Sequence, residues 1–248
     1  MEEREKGIFS AVSAGPGDPE LMTLGSVKIL EKADVVAAPR TASGQMLALE
    51  IVRGVCPLEE KIVLPMDFVM SRDPEVVRAQ HERIAAETAA YLDRGLNVAM
   101  VNLGDVAVYS TAFYIMEVLR KWGYTCRMHA GVPSFCAVAS RLGISMTERN
   151  LPVHIIPGAY PVGGLLEQEG TIVLMKSGRQ IRKVLEELKR RDLLSRSSMV
   201  VNCGMSEEQV ISDLSRLDPS EEIGYFATII VRPRRPDRPQ RTQRPDRP

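Results

Sequence analysis

The sequence predicts an α/β fold built from two domains, each with a mostly parallel central sheet. Short apolar segments alternate with longer amphipathic ones along the chain, which is the order expected of a βα-wound sheet. A length of 248 residues suits two domains of about 100–150 residues each. Glycine-rich turns follow several of the apolar segments, as they do at the ligand-facing edge of such sheets.

The first half of the chain shows this alternation clearly. An apolar segment at Ile8–Ala14 leads through the turn Gly15–Glu20 to a helical pattern from Leu24 to Lys32, with Asp18 or Thr23 as the N-cap. A long helix is expected at 76–94, with one apolar face. The other predicted elements are strands at 33–38, 61–64, 97–103 and 125–129 and a helix at 112–121.

The second half repeats the pattern. Helices are expected at 134–142, 180–191 and 207–216, and strands at 153–156, 171–175, 198–202 and 225–231. The domain division is placed at Ala130-Gly131, which gives domains at 1–130 and 131–231. A ligand cleft is expected between them, because ligands of α/β proteins tend to bind at such joints.

Charge is distributed unevenly over the chain, although basic and acidic residues both total 32. Residues 232–248 hold seven Arg and two Asp among prolines, and they are expected to form a disordered tail because nothing apolar repays the cost of ordering them. The remaining body is acidic, which argues against nucleic acid as a partner. No signal peptide or membrane helix is expected, since the start is charged and the longest uncharged run is broken by Pro and Gly.

Cysteine and histidine spacing gives no sign of a metal site. The four cysteines lie far apart without a Cys-x-x-Cys pair, and the three histidines are also scattered. Reduced, mostly buried thiols and a cytoplasmic location are therefore expected.

Three turns carry the candidate chemistry: Gly15–Glu20, Gly104–Thr111 and Gly131–Ser134. The first lacks the glycine spacing of a dinucleotide fingerprint, and no Gly-Lys pair exists for a P-loop. The turns also offer no Ser-His or Cys-His pair for covalent catalysis. Because the carboxyl ends of wound strands converge on one crevice, the turns are expected to lie together and to hold reactants. Taken singly, each is also compatible with an ordinary turn.

A set of ordered motifs makes the sequence resemble the tetrapyrrole methylase family. The set comprises Gly15-Pro-Gly-Asp-Pro-Glu-Leu-Met-Thr23, Asp34-Val-Val36, Gly104-Asp105 with Tyr109-Ser110-Thr111, Gly131-Val-Pro-Ser134 and Met175-Lys176. The resemblance runs from about Lys6 to Val231 and is most like the branch of precorrin-2 (cobalt-precorrin-2) C(20)-methyltransferases. Two positions depart from the family pattern. Val106 stands where the family usually has proline after Gly-Asp, and Ala130 stands where it usually has proline before Gly131. We expect Val106 to loosen its loop slightly.

The resemblance implies a C-methyltransferase that binds S-adenosylmethionine, yields S-adenosylhomocysteine and forms a homodimer. The implied cofactor contacts are Leu103, Gly104, Asp105, Val108, Ser110 and Thr111 from the first domain and Ser134, Phe135, Met175, Cys203, Ala227 and Thr228 from the second. Because a precorrin carries many carboxylates, the candidate substrate-binding cations are Arg40, Arg72, Lys176 and Arg179. The base that removes the displaced meso proton is left open among Asp18, Asp105 and Tyr109.

Two alternatives to this interpretation stay open. One is another activity of the family, such as methylation of uroporphyrinogen III or of a later precorrin. The other is a non-catalytic relative that binds S-adenosylhomocysteine or a tetrapyrrole, which the departures at Val106 and Ala130 suggest.

Overall fold

The computed structural model describes residues 5–69, 71–147, 150–158, 160–218 and 223–233. The chain divides into an N-terminal unit that runs to Ala137 and also contains Asn202–Glu208, and a C-terminal unit made of Val138–Val201 and the chain from Gln209 onward. Most of the predicted Arg/Pro tail, 234–248, lies outside the described residues, and the predicted domain boundary at 130–131 stays a prediction. Among the helices that the structure describes, none is long and apolar enough to cross a membrane.

The N-terminal unit is built on a five-stranded sheet of order β3-β2-β4-β1-β5, in which every pair is parallel. Its elements in chain order are β1 (Phe9–Ser13), α1 (Leu24–Lys32), β2 (Val35–Arg40), α2 (Leu47–Arg53), β3 (Ile62–Asp67), α3 (Pro74–Leu92), β4 (Val98–Asn102), α4 (Ala112–Lys121), β5 (Cys126–His129) and α5 (Ser134–Arg141). The last helix continues beyond Ala137 into the C-terminal unit.

Both faces of this sheet are buried, as expected of a parallel sheet. Alternate residues of β1 point to opposite faces: Phe9 and Ala11 join the core cluster that contains α3 and α4, and Val12 joins the one that contains α1 and α2. The predicted apolar face of α3 is confirmed, since Ile84, Ala85, Thr88 and Leu92 are all buried.

Side-chain caps fix where the helices begin. Both predicted caps after β1 are present: Asp18 accepts a hydrogen bond from the Glu20 N–H and starts a 3-10 turn over Pro19–Leu21, and Thr23 accepts one from the Ser26 N–H at the start of α1. Asp73 caps α3 in the same way, with Pro74 at the first helical position.

The C-terminal unit contains a five-stranded sheet of order β6-β7-β10-β8-β9. Its elements are β6 (Val153–Pro157), β7 (Thr171–Met175), α6 (Ile181–Arg190), β8 (Ser197–Val201), β9 (Gln209–Ile211) and β10 (Ala227–Val231). Only β6 and β7 pair in parallel, and the other three pairs are antiparallel. The expectation of a mostly parallel sheet is therefore wrong for this unit, because β10 enters between β7 and β8 and pairs antiparallel with both.

Two further elements differ from those that the sequence predicts. Helix α2 was not predicted, although Ala48, Ile51 and Val52 have helical spacing and are buried. The helix expected at 207–216 is wrong: this stretch contains the edge strand β9, which pairs with β8, and a 3-10 turn that Asp213 caps. The connection from β8 to β9 is too short for a parallel crossover, so the chain returns antiparallel.

Candidate functional site

Three adjacent strands of the parallel sheet, β4, β1 and β5, end at the same edge, and the three glycine turns follow them there. Gly15 and Gly104 form an isolated antiparallel bridge, with the Gly104 N–H donating to the Gly15 carbonyl at 2.7 Å and the Gly15 N–H donating back at 3.2 Å. Both glycines have positive φ, 73° and 77°, which other residues rarely adopt. The first two turns are thus joined through their backbones.

Ser13, the last residue of β1, joins the second and third turns. Its hydroxyl donates to the His129 carbonyl at 2.7 Å and accepts from the Val106 N–H at 3.0 Å. Gly131 packs directly on this side chain, because a Cβ atom at Gly131 would lie 2.3 Å from the Ser13 Cβ. The third turn therefore requires glycine at this position for space.

The carboxylate of Asp105 completes the connection between these turns. Its Oδ2 accepts the Gly131 N–H at 2.6 Å, and its Oδ1 accepts the Ala107 N–H at 2.8 Å. The side chain is almost fully buried, at 9% exposure, so these are strong charge-assisted hydrogen bonds. The expectation that the three turns lie together is confirmed, and Asp105 is the residue that holds the second turn to the third.

Val106 does not loosen its turn, contrary to our expectation. Its N–H donates to Ser13, a bond that proline could not make, and its side chain is buried in the core cluster that contains α3 and α4. The departure from the family pattern therefore adds a hydrogen bond at the centre of the three turns.

Beyond Asp105, the second turn is anchored to the end of β4. The Asn102 Oδ1 accepts the Ser110 hydroxyl at 3.0 Å and faces the Thr111 hydroxyl at 3.5 Å. Tyr109 has a φ of 51° and keeps 43% of its surface exposed. Two of the predicted cofactor contacts thus have their hydroxyls oriented by Asn102, while Leu103 and Val108 are half-buried beside them.

Sequence reasoning missed Ser13 and Asn102 as residues of this site. They are partners in the register of β1 and β4, and both are polar residues at the last position of buried strands. A polar side chain at the end of a buried strand was the signal that could have identified them.

The structure groups Ser134, Phe135 and Cys203 with the N-terminal unit. Gly17 of the first turn packs against the loop that contains Cys203, since a Cβ at Gly17 would lie 2.3 Å from the Cys203 carbonyl oxygen. Gly204, with a φ of 77°, packs in turn on the Asp18 backbone. Cys203 and Phe135 are buried and Ser134 is half-buried at the start of α5.

The remaining predicted cofactor contacts lie in the C-terminal unit. Met175 ends β7, and Ala227 and Thr228 begin β10; all three are buried. Ser177, which follows β7, is fully buried, and its hydroxyl oxygen has no hydrogen-bond partner among the described residues. Gly158 packs against it, because a Cβ there would lie 2.4 Å from the Ser177 Oγ. An unpaired buried hydroxyl is costly, which marks this edge of the second sheet as a place for a polar ligand group.

The predicted substrate-binding cations differ in their surroundings. Arg40, at the end of β2, forms a two-bond ion pair with Asp67 at 2.8 and 2.6 Å, which lowers the pKa of the Asp67 carboxyl. Arg72 is exposed in the loop before α3, and the side chain of Arg179 lies outside the described residues. Lys176 has a φ of 55° and is exposed to solvent, and nearby protein partly desolvates its amine, which lowers its pKa.

Comparison with known proteins agrees with this geometry. The family described as Tetrapyrrole (Corrin/Porphyrin) Methylases matches residues 9–218. A cobalt-precorrin-2 C(20)-methyltransferase of Salmonella typhimurium is 29% identical over 231 residues, which cover 91% of this chain and 96% of that protein.

Two solved structures share the fold. A cobalt precorrin-4 methyltransferase, 21% identical, has a TM-score of 0.72 over 90% of this chain and 94% of that one. A uroporphyrin-III C-methyltransferase from Thermus thermophilus, solved with S-adenosylhomocysteine and 21% identical, has a TM-score of 0.65 over 91% of each chain. The chain therefore belongs to the tetrapyrrole methylase family and is an S-adenosylmethionine-dependent methyltransferase.

Proposed function

We propose that this chain, a tetrapyrrole C-methyltransferase of cobalamin biosynthesis, transfers a methyl group to C-20 of precorrin-2 or cobalt-precorrin-2. Similarity to a cobalt-precorrin-2 C(20)-methyltransferase over nearly the full length of both chains is the observation that carries the choice of substrate. The joined glycine turns support the chemistry, because they form a rigid edge that offers backbone and hydroxyl groups to a ligand.

The residues present fit the cofactor. S-adenosylmethionine has a carboxylate, an amine, ribose hydroxyls and an adenine ring, so it requires donors, acceptors and apolar surface. A Cβ placed on Gly104 would meet no other heavy atom closer than 4.0 Å, which leaves space at the second turn, and Ser110 and Thr111 lie on the same turn. In the C-terminal unit, Ser177 has a hydroxyl in need of a partner and Met175 offers a polarizable surface.

When bound, the cofactor supplies an electrophilic methyl group on a sulfonium. The protein has to hold the electron-rich meso carbon in line with that methyl group. Orientation of this kind lowers the activation barrier by up to about 7–11 kcal/mol. The carbon–sulfur bond breaks as the new carbon–carbon bond forms, the sulfur keeps the electron pair, and the meso proton then passes to a base.

The three candidate bases have different surroundings. The Asp18 carboxylate caps a 3-10 turn, and both oxygens of Asp105 accept backbone N–H groups, which suits both side chains to positioning. Tyr109 keeps its ring partly exposed at the same edge of the sheet. We therefore propose Tyr109 as the first candidate to contact the substrate. Arg40 and Lys176 are the proposed partners of the substrate's carboxylates. Replacing Tyr109 by Phe is expected to lower kcat without weakening cofactor binding.

A substrate panel tests the assignment. The purified chain is incubated with S-adenosylmethionine and, separately, uroporphyrinogen III, precorrin-2 or cobalt-precorrin-2, and the products are analysed by mass spectrometry. We expect one added methyl group with one or both forms of precorrin-2. Methylation of uroporphyrinogen III alone would assign another activity of the family to this chain. Binding of S-adenosylhomocysteine without any turnover would favour a non-catalytic relative. The Val106 departure no longer supports that last alternative, because its N–H stabilises the turn. The homodimer and the cytoplasmic location stay predictions.

A further inference from the structure

Four ring-bearing side chains contact one another at the edge of the parallel sheet where the glycine turns lie. Phe68 follows the last residue of β3, His81 lies in α3, and Phe113 and Tyr114 lie in the first turn of α4. These four residues are called the aromatic cluster below. Because β3 ends and α4 begins at the carboxyl side of the sheet, the cluster borders the second glycine turn, Gly104–Thr111.

The rings of the aromatic cluster pack on one another in two ways. His81 and Tyr114 are stacked, with ring centroids 5.1 Å apart and an angle of 7° between the ring planes. Phe68 meets His81 edge to face at 6.3 Å, and Phe113 meets Tyr114 in the same way at 6.2 Å. Such pairs stabilise the orientation of each ring, so a ligand that binds to them freezes little side-chain motion.

Two of the rings are open to solvent although they belong to a packed pair of helices. Phe113 is 39% exposed and Tyr114 is 53% exposed. Adjacent residues of a helix point about 100° apart, so the two rings together present a broad apolar surface. Val69 and Val76, in the connection from β3 into α3, are exposed as well. An apolar surface of this kind on a folded domain indicates a binding surface.

His81 keeps this surface uncharged near neutral pH. Desolvation by the surrounding protein lowers the pKa of the imidazole below its ordinary value of 6.5, so the ring is mostly neutral at pH 7. The stacked pair of His81 and Tyr114 therefore offers an aromatic face and not a positive charge.

Positive charge is present beside the aromatic cluster, at the ends of β2 and β3. Arg40 forms its two-bond ion pair with Asp67, the residue directly before the cluster begins, and the guanidinium has further N–H donors. The Arg40 side chain is 40% exposed, so these donors can reach a ligand. On α3, the carboxylates of Glu75 and Glu82 are both paired with Arg78, which limits their repulsion of an anionic ligand.

We propose, resting on the function proposed above, that the aromatic cluster binds one face of the tetrapyrrole macrocycle while Arg40 binds a carboxylate at its rim. A tetrapyrrole combines flat apolar rings with peripheral carboxylates, so it matches an aromatic surface next to an arginine. Phe113 and Tyr114 contact the macrocycle, and His81 is a positioning residue that fixes the plane of Tyr114. The Tyr114 N–H donates to the Thr111 carbonyl at 3.2 Å, so a macrocycle bound there lies beside the second glycine turn.

Uroporphyrin III is the probe for the test, because this stable tetrapyrrole has a flat ring with peripheral carboxylates and its binding requires no turnover. Its binding to the full chain is followed by the shift of its Soret absorption band. Tyr114→Leu keeps an apolar side chain but removes the ring, and we expect it to lower the affinity about tenfold. Tyr114→Phe keeps the ring and is expected to bind within about twofold of wild type.

Trp122→Leu is the matched control. Trp122 is an aromatic residue of similar exposure, 44%, at the opposite end of the same helix, so its replacement is expected to leave the affinity for uroporphyrin III unchanged. Binding of S-adenosylhomocysteine to all the variants shows whether they fold and is expected to stay at the wild-type level.

Equal affinity for uroporphyrin III in wild type and Tyr114→Leu would overturn the proposal, as would the absence of binding by the wild type. A change of molecular mass in sedimentation of Tyr114→Leu, with unchanged affinity for the probe, would also overturn it and would identify the cluster as a contact between copies of the chain. Methyl transfer is measured separately in the substrate panel. Turnover of precorrin-2 with unchanged probe affinity in Tyr114→Leu would reject the cluster alone, whereas lost affinity without turnover in the wild type would reject the proposed function alone.

Discussion

Replacing Asp105 by Asn is the sharpest test of the joined turns, because the substitution keeps size and shape. Each carboxylate oxygen accepts one backbone N–H, from Ala107 at 2.8 Å and from Gly131 at 2.6 Å. An amide has only one acceptor oxygen, so its NH2 group has to face one of these N–H donors. The variant loses one charge-assisted hydrogen bond and leaves a buried donor unmet.

The expected loss of stability follows from these two terms. A hydrogen bond to a charged group contributes about 1.5–3 kcal/mol, and an unmet buried donor costs about 1–3 kcal/mol, with overlap between the two. We therefore expect Asp105→Asn to lower the free energy of unfolding by about 2–4 kcal/mol. With a urea m-value of about 2 kcal/mol per molar, the unfolding midpoint falls by about 1–2 M. Affinity for S-adenosylhomocysteine is expected to fall about tenfold or more, because the second and third turns separate.

Asp34→Asn is the matched control. The Asp34 Oδ2 accepts the Asn97 N–H at 2.8 Å just before β2 and β4 begin, at the opposite edge of the same sheet. The amide oxygen of Asn can still accept this bond, so the control is expected to change stability little and to leave the turns intact. Urea denaturation and calorimetric titration with S-adenosylhomocysteine are performed on both variants. Unchanged stability in Asp105→Asn, or an equal loss of affinity in the two variants, would refute the reasoning.

Three further substitutions probe the same edge of the sheet. Gly131→Ala places a Cβ 2.3 Å from the Ser13 Cβ, so a loss of about 1–3 kcal/mol in urea denaturation is expected, whereas Gly164→Ala, which meets no atom within 4 Å, stays close to wild type. Val106→Pro removes the donor to the Ser13 hydroxyl and is expected to lower stability by about 1 kcal/mol; a stabilised variant would contradict this. Burial and a nearby arginine hold the pKa of His129 below its ordinary 6.5, so the unfolded chain binds the proton first as the pH falls. Stability should therefore decrease below about pH 6.5, and His129→Gln should flatten that slope in unfolding measured from pH 5 to 8; an unchanged slope would contradict this assignment.

The elements that sequence reasoning located best are those with a strong pattern and clear ends. Strand β7 and helix α4 match their predicted ranges, Thr171–Met175 and Ala112–Lys121, because apolar residues and a following Lys or Gly mark their limits. The edge strand β9 could not be found in this way. Its three residues are mostly exposed and take strand geometry only through pairing with β8, a tertiary effect that local propensity does not contain.

The site also has features that the sequence predicts and features that it does not. The turns themselves were predictable, because glycines after apolar strands mark where a wound sheet meets its ligands. The contacts that hold the turns together were not, since Ser13 lies 93 residues before its partner Val106. The direction of β10, which makes the second sheet mixed, likewise depends on where the chain re-enters the sheet.

Methyl transfer to a tetrapyrrole can be observed directly with S-adenosylmethionine that carries a 13C-labelled methyl group. The labelled cofactor is incubated with the full chain and precorrin-2, with and without cobalt, and the product is examined by NMR. The proposed function predicts a single new labelled methyl resonance attached to C-20. A label that stays on the cofactor, or that appears at another ring carbon, would contradict it.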